Sequence, residues 1–230
     1  MTDCIRPTVL DLYSGPGGVG HGLDELGMNH VGVDQEEYGK EYPGMFYQLD
    51  ASDITTIYEV FGNDHIDLLW LSPPCQAYSN LSYVHYDDPK EVHDTFYDLN
   101  VRGIIHYLEP ENYVIENVAA CDELREPTKI NGFGVGYEFG LERHFETSFS
   151  CPDAIGDGES ELNMSQGIGD SYTEVAAAKG VPATWGKTAV RSAIPTGYVQ
   201  HILHHCPTTP GVDSPTGTTQ QTLGTPLNAQ

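Results

Sequence analysis

Basic residues are scarce. Lys and Arg total 10 against 34 Asp and Glu, leaving 24 net negative charges over 230 residues. A charge of that sign ordinarily argues against a nucleic-acid partner, because phosphates are held by clustered Lys and Arg. The acids are spread along the chain rather than gathered in a tail, and the Gly-punctuated apolar segments argue against a disordered chain. The pattern reads as adaptation to high salt, which screens like-charge repulsion over short distances. In molar salt the objection to nucleic acid weakens, and so does the attraction of phosphate. Also missing is any apolar run long enough to cross a bilayer, or a basic-plus-apolar beginning of the secretory type. The expectation is a soluble, cytoplasmic protein with no membrane partner. Five scattered cysteines (Cys4, Cys75, Cys121, Cys151, Cys206) form no paired spacing, which predicts reduced thiols and no metal. No internal repeat is visible, and the length suits one good-sized core with at most a small appendage.

What is present is organised around Leu71-Ser72-Pro73-Pro74-Cys75-Gln76. The apolar run before it reads as a short buried strand. Two prolines cannot donate ladder hydrogen bonds, so the strand ends there in a stiff turn. Cys75 is thereby aimed from the C-terminal edge of a sheet, where open α/β sheets bind ligands. A thiol there is a candidate nucleophile. Taken alone it is more often a small buried hydrophobe, as most free cysteines are.

Upstream, residues 7–13 read as a first strand, followed by Ser14-Gly15-Pro16-Gly17-Gly18 and a helix to Leu26. Glycines between a strand and a helix let a ligand approach the backbone closely. His30-Val31-Gly32-Val33-Asp34 is a second strand ending in an acid about 20 residues past the glycine turn, the placement that binds ribose hydroxyls in dinucleotide folds. Ser52 or Asp53 caps a helix to Phe61; for Asp53, a plain cap and a ligand contact are equally open. Residues 77–91 are too polar for a core and long for a connection, as functional or disordered loops are. A helix is predicted over 95–108. Tyr113-Val114-Ile115-Glu116-Asn117-Val118 is another strand, placing Glu116 at the same sheet edge as Cys75. Residues 131–149 are Gly-rich and β-like, 156–169 a loop, 172–180 a helix, and 188–205 a helix broken at Pro195. After Cys206 the composition is that of a disordered tail.

The ordered series Asp11-Leu12-Tyr13-Ser14-Gly15-Pro16-Gly17-Gly18, Asp34, Asp53-Ile54-Thr55, Pro73-Pro74-Cys75-Gln76 and Glu116-Asn117-Val118 resembles the DNA (cytosine-5)-methyltransferases over roughly residues 8–206. The stretches Arg143-His144-Phe145-Glu146-Thr147 and Ala193-Ile194-Pro195-Thr196-Gly197-Tyr198 look like compact phage and prophage members. The resemblance implies a doubly wound, Rossmann-like α/β sheet with a very small target-recognition insertion. It implies S-adenosyl-L-methionine as cofactor, held by Asp11, Tyr13, Ser14, Gly15, Gly17, Gly18, Asp34, Gln35, Asp53, Ile54 and Pro73. Within that set the turn from Tyr13 to Gly18 holds the methionine part, Asp34 replaces the family's usual Glu at the ribose, and Asp53 faces the adenine amino group. Cys75, Glu116 and Arg143 are the implied catalytic residues. A thiolate added at carbon 6 of cytosine makes carbon 5 nucleophilic. Glu116 would protonate or hydrogen-bond ring nitrogen 3, Asn117 would fix the loop, and Arg143 would contact the flipped base or its phosphate. The base must leave the stack to be reached, with residues 77–91 as the loop that closes over it.

One departure stands out. The family's late motif, Gln-x-Arg-x-Arg, survives only as Arg143, with Leu141 in place of the first arginine. The division expected is 1–147 catalytic and cofactor-binding, 148–172 a reduced target-recognition segment, 173–206 helices returning to the catalytic part, and 207–230 a tail. The recognition segment has no Arg or Lys. Asn163, Ser165, Gln166 and Ser171 are its expected base readers, and Arg143, Lys179, Lys187 and Arg191 its expected phosphate contacts. Double-stranded DNA is the expected partner of a monomer, with a cognate restriction enzyme as a candidate second partner. Three rivals stay open: an amino-methyltransferase, which would carry an aromatic residue at the position of Cys75; an RNA cytosine-5 methyltransferase; and a non-catalytic adenosylmethionine-binding accessory protein.

Overall fold

The computed structural model describes residues 9–160, 162 and 172–209. Among them one seven-stranded sheet carries the chain, and its composition explains why. In β4 (Leu68–Leu71), Leu68 and Trp70 face one side and Leu69 and Leu71 the other, all four fully buried. A strand apolar on both faces is stable only with helices covering both. The strands β1 (Val9–Leu12) and β5 (Asn112–Val118), which flank β4, have the same character. The other strands are β2 (His30–Asp34), β3 (Met45–Gln48), β6 (Thr128–Ile130) and β7 (Arg143–Thr147). Strand order is β3-β2-β1-β4-β5-β7-β6. The first five run parallel, and β7 enters antiparallel between β5 and β6.

The expected doubly wound α/β sheet is therefore present. On one face α1 (Gly18–Glu25) packs against α6 (Thr196–His204), with α4 (Tyr172–Lys179) and α5 (Lys187–Ser192) beside them. Their core includes Val19, Leu23, Val175, Val190, Tyr198 and Ile202 against Trp70 and Phe145. On the other face α2 (Ile54–Phe61) packs against α3 (Val101–Leu108), with Ile57, Phe61 and Ile104 against Leu10, Leu69 and Ile115. Strand order turns back between β1 and β4, so the loops after these two strands diverge and leave a crevice.

Three local readings change. The helix expected over 95–108 begins only at Val101, because Asn100 sits in the left-handed region (φ +52°) and residues 96–100 are turns. Strand β3 escaped notice because it is an edge strand with mostly exposed side chains, hence without apolar alternation. Residues 151–156 are no free insertion. Ala154 bridges Ile130 in parallel, its N–H donates to the Lys129 carbonyl at 2.8 Å, and Asn131 bonds both polar groups of the Gly156 backbone. The expected base readers Asn163, Ser165, Gln166 and Ser171, Cys4, and residues 210–230 of the expected tail lie outside the described residues.

Candidate active site

The crevice between the ends of β1 and β4 is a cavity of about 460 Å³, within the range usual for small-molecule sites. One wall is the turn after β1. Tyr13 holds a positive φ of +59°, rare for an aromatic residue, and its hydroxyl donates to the Leu99 carbonyl at 3.1 Å. Such backbone strain persists where the surroundings impose it, and it clusters at ligand sites. Gly15, at φ +53°, donates its N–H to Asp34 Oδ2 at 2.9 Å, while Glu36 N–H donates to Oδ1 at 3.0 Å. Two backbone donors thus hold the Asp34 carboxylate at the cavity edge with lone pairs to spare for hydroxyl donors. Tyr13, Ser14, Gly15, Gly18, Asp34, Gln35 and Pro73 all line the cavity.

Four other expected cofactor contacts sit elsewhere. Asp53 faces solvent as the cap of α2: its carboxylate accepts from Thr55 N–H, Thr56 N–H and the Thr56 hydroxyl. Ile54 points into the core beneath the sheet. Asp11 is fully buried under the glycine turn, where Oδ2 accepts from the Tyr42 hydroxyl at 3.2 Å and Oδ1 has no partner; burial holds its pKa well above the usual carboxylate range. Gly17, at φ +104°, packs against Pro43 and Tyr42, where a Cβ would lie 2.7 Å from Pro43 Cδ. Asp11 and Gly17 thus shape the turn from behind. The polar turn at 50–52 occupies the place expected of Asp53, at the end of the overlooked β3.

The far end of the cavity holds Cys75, Glu116 and Arg143 together. The Cys75 carbonyl accepts from Tyr78 and Ser79 N–H at 3.0 and 2.9 Å, closing a tight turn. Asn117 Nδ2 donates to the Pro73 carbonyl at 3.0 Å, tying the end of β5 to that turn as expected. Glu116 is buried on β5, and Arg143 lies diagonally across the β5–β7 ladder, opposite Val118. Diagonal neighbours are within reach of long side chains, and Arg143 Nε lies 3.2 Å from Glu116 Oε1. Burial lifts the Glu116 pKa to about 7, with Arg143 and Lys179 pulling it back. Burial and the negative charge of Glu116 push the Cys75 thiol up, opposed by Arg143 and Arg191. A carboxyl able to carry a proton near neutrality beside a thiol is the pairing that general acid catalysis with covalent addition needs.

Lys179 was expected on a phosphate. It is fully buried instead. Nζ donates to the carbonyls of Val190, Arg191 and Ala193 at 3.0, 2.7 and 2.9 Å. Burial and Arg143 lower its pKa to about 7. Three acceptors nevertheless match the three N–H bonds of an ammonium, one more than a neutral amine has, and this geometry holds the proton on. Lys179 thereby fixes the segment at the end of α5 that lines the cavity and sets a cation behind Glu116 and Arg143. Leu141, where an arginine was missed, is buried in the core and leaves only its carbonyl for Tyr198. The extra positive charge comes from Lys179 and Arg191, which no local spacing connects to Glu116. Lys179→Met should leave three carbonyls without a donor, at about 1–3 kcal/mol each before relaxation, so the melting temperature should fall. Removing a cation favours the neutral carboxyl, so the Glu116 pKa should move above 7. A pH–rate profile measures that shift, and an unmoved profile would leave Lys179 a purely structural residue.

Residues 77–91 are anchored at both ends. Tyr78 is buried, donating to Glu123 Oε1 at 2.7 Å and accepting from Phe96 N–H at 2.8 Å, and Lys90 pairs with Asp122 at 2.7 Å. Between them Leu81, Tyr83, Val84 and Tyr86 are exposed.

The chain is 29% identical over 128 residues to the Type II methyltransferase M1.HphI of Haemophilus parahaemolyticus, a match covering 50% of this chain and 33% of that protein. The chain thus spans about a third of that relative's length. The crystal structure of the S. pombe Dnmt2 methyltransferase superposes with a TM-score of 0.54 over 86% of this chain and 97% of the other at 13% identity, a likeness of fold. Residues 7–134 match the model of the C-5 cytosine-specific DNA methylase family. Those residues bring in the glycine turn, Asp34, Cys75 and Glu116, and the chain belongs to the C-5 cytosine-specific DNA methylase family.

Proposed function

We propose that the chain transfers a methyl group from S-adenosyl-L-methionine to carbon 5 of cytosine in DNA. One observation carries this reading: Cys75, Glu116 and Arg143 line the same cavity as the strained glycine turn and Asp34, where the strand order reverses. The residues fit the cofactor. Asp34 is held to accept from ribose hydroxyls, the turn from Tyr13 to Gly18 presents backbone to the methionine part, and residues 50–52 replace Asp53 near the adenine. Bound there, the cofactor supplies an electrophilic methyl group on sulfonium sulfur.

The protein's own part is as follows. The Cys75 thiolate adds to carbon 6 of a flipped cytosine while Glu116 gives ring nitrogen 3 its proton, so the carbon 5–carbon 6 double bond becomes an enamine nucleophilic at carbon 5. Arg143 keeps Glu116 oriented and offsets negative charge as it ionises. After methyl transfer, solvent takes the carbon 5 proton, ring nitrogen 3 returns its proton to Glu116, and expulsion of the Cys75 thiolate restores the ring. Trapping with 5-fluorocytosine, which blocks the last proton loss, tests the reading. A covalent complex on DNA supports it. A complex on RNA alone would make the chain an RNA methyltransferase, and none on either an accessory protein.

Residues 148–172 form the proposed reduced recognition segment, of which 151–156 is already bound to the sheet edge. Few side chains remain to read base edges, each good bidentate contact discriminating by about 1–3 kcal/mol. The exposed aromatic residues of 77–91 would share the reading. A short, weakly discriminated target site is expected, and bisulfite sequencing of plasmid DNA methylated by the purified protein measures it; a strict site of six or more base pairs would refute it. A restriction-enzyme partner is proposed from the Type II designation of the Haemophilus relative, and plasmid so methylated should resist that nuclease. The charge of −24 supports halophilic adaptation. The melting temperature should climb from low to molar potassium chloride as acid–acid repulsion is screened, and a flat or falling trend would count against it.

A further inference from the structure

We propose that Cys151, His201 and His205 form a binding site for a transition-metal ion of the zinc class, separate from the active cavity. One donor atom of each lies within 4.8 Å of the donors of the other two. A tetrahedral zinc ion with one sulfur and two nitrogen ligands sets its donors roughly 3–4 Å apart, so small rotations of three side chains would close the site. His201 and His205 are four residues apart on α6 and its C-cap, one helical turn, and so share a face. Their ring centroids lie 5.2 Å apart. Cys151 comes from a different element, which the backbone holds in place: its carbonyl accepts from the Thr128 hydroxyl at 2.7 Å, and three residues on, Ala154 is bonded to β6. The two elements already touch, because His201 Nε2 lies 3.1 Å from the Pro152 carbonyl.

The donor set selects the ion. One thiolate and two imidazoles suit zinc, cobalt or copper rather than magnesium or calcium, which take oxygen ligands. Three protein ligands leave a fourth position for water or a further group. Each ligand is partly exposed, so an ion has a way in. The cluster His65, Asp67 and Glu111 is different in kind. It has no thiol, and His65 Nε2 already bridges the two acids at 2.8 and 3.2 Å on the surface. The expectation of no metal rested on cysteine spacing along the chain, and the cysteine here lies 50 residues from the nearer histidine. An ion at this point would clamp α6, which packs on α1 behind the glycine turn, to the strand-like segment that leads into 157–171.

The test uses the full chain, stripped with a chelator and titrated with cobalt(II) as an optical stand-in for zinc. The expected result is one equivalent bound at this site, with the near-ultraviolet charge-transfer band of a cobalt–thiolate bond, bleached by zinc. Zinc at a hundredfold excess over its Kd should raise the melting temperature by on the order of 5 °C. Cys151→Ser should remove the band, and His205→Ala should weaken binding at least tenfold. His204→Ala, next door on the helix but outside the cluster, and His65→Ala should leave both intact. No band, a band that survives Cys151→Ser, or binding lost with His65→Ala would each overturn the proposal. If Cys151→Ser does not fold when metal-free, His205→Ala decides the matter.

Discussion

Cys75→Ala is expected to abolish methyl transfer to DNA while leaving adenosylmethionine binding within a few-fold of the wild type. Among the described residues that line the cavity, Cys75 carries the one thiol, and it is the group that bonds to carbon 6 in the proposed mechanism. The turn that carries it does not depend on the sulfur. It is held by the Cys75 carbonyl, the prolines, and the Asn117 bond to the Pro73 carbonyl. The cofactor wall, from Tyr13 to Gly18 and Asp34, is built from other elements. Loss of turnover with cofactor binding retained, measured by tritiated methyl transfer and calorimetry, would separate chemistry from folding. Methylation by the variant would end the covalent mechanism, and loss of both together would mean that Cys75 supports the fold.

Glu116→Gln should lower turnover by roughly 10²-fold, the usual worth of a general acid, and should change the shape of the pH profile. The productive state has an ionised thiol and a neutral carboxyl, one proton over the pair. Glu116 titrates at about 7 and the thiol above its ordinary value. Below 7 both groups are protonated and the thiolate vanishes. Between the two pKa values the pair carries one proton, and the productive arrangement is a small, constant share of it. Above the thiol pKa both are ionised and no proton is left for ring nitrogen 3. The wild-type kcat/KM should therefore rise through pH 7 to a plateau and fall only in alkali. With Gln at 116 the rise at pH 7 should disappear, and the rate should track thiolate formation alone. That formation comes at lower pH than in the wild type, since Glu116 no longer raises the thiol. A limb at pH 7 that persists in the variant would assign it to another group.

The salient parts of this protein that were legible in the sequence are those where covalent chemistry acts over a few residues. Pro73 and Pro74 have no N–H to donate, so β4 had to end before them, with Cys75 just beyond, whatever surrounds it. Gly15 and Gly17 take backbone angles that most residues avoid, so a sharp turn between a strand and a helix could be read directly. The apolar run of β4 read as a buried strand, and the resemblance of the ordered motifs implied the doubly wound sheet. The Pro-Pro-Cys and Glu-Asn-Val stretches each end a strand, which placed Cys75 and Glu116 at one sheet edge, where both line the cavity. Other features belong to the tertiary structure, because they depend on what the far parts of the chain bring. Asp53 could cap a helix or face a ligand, and only the folded chain shows its carboxylate bonded to Thr55 and Thr56 at the start of α2. Lys179 has the chemistry of a surface residue; α5 and its C-cap Ala193 supplied the three carbonyls that make its burial tolerable. The Glu116 pKa near 7 exists because the packed sheet buries the carboxyl, while β7 brings in Arg143, which pulls the value partly back. Helix α3 starts at Val101 because the backbone at Asn100 turns left-handed, a conformation that side-chain periodicity does not report. Cys151 and the two histidines of α6 meet through the pairing of 151–154 with β6. Long-range packing alone sets such a distance, since proximity in space is fixed by the fold and not by separation along the chain.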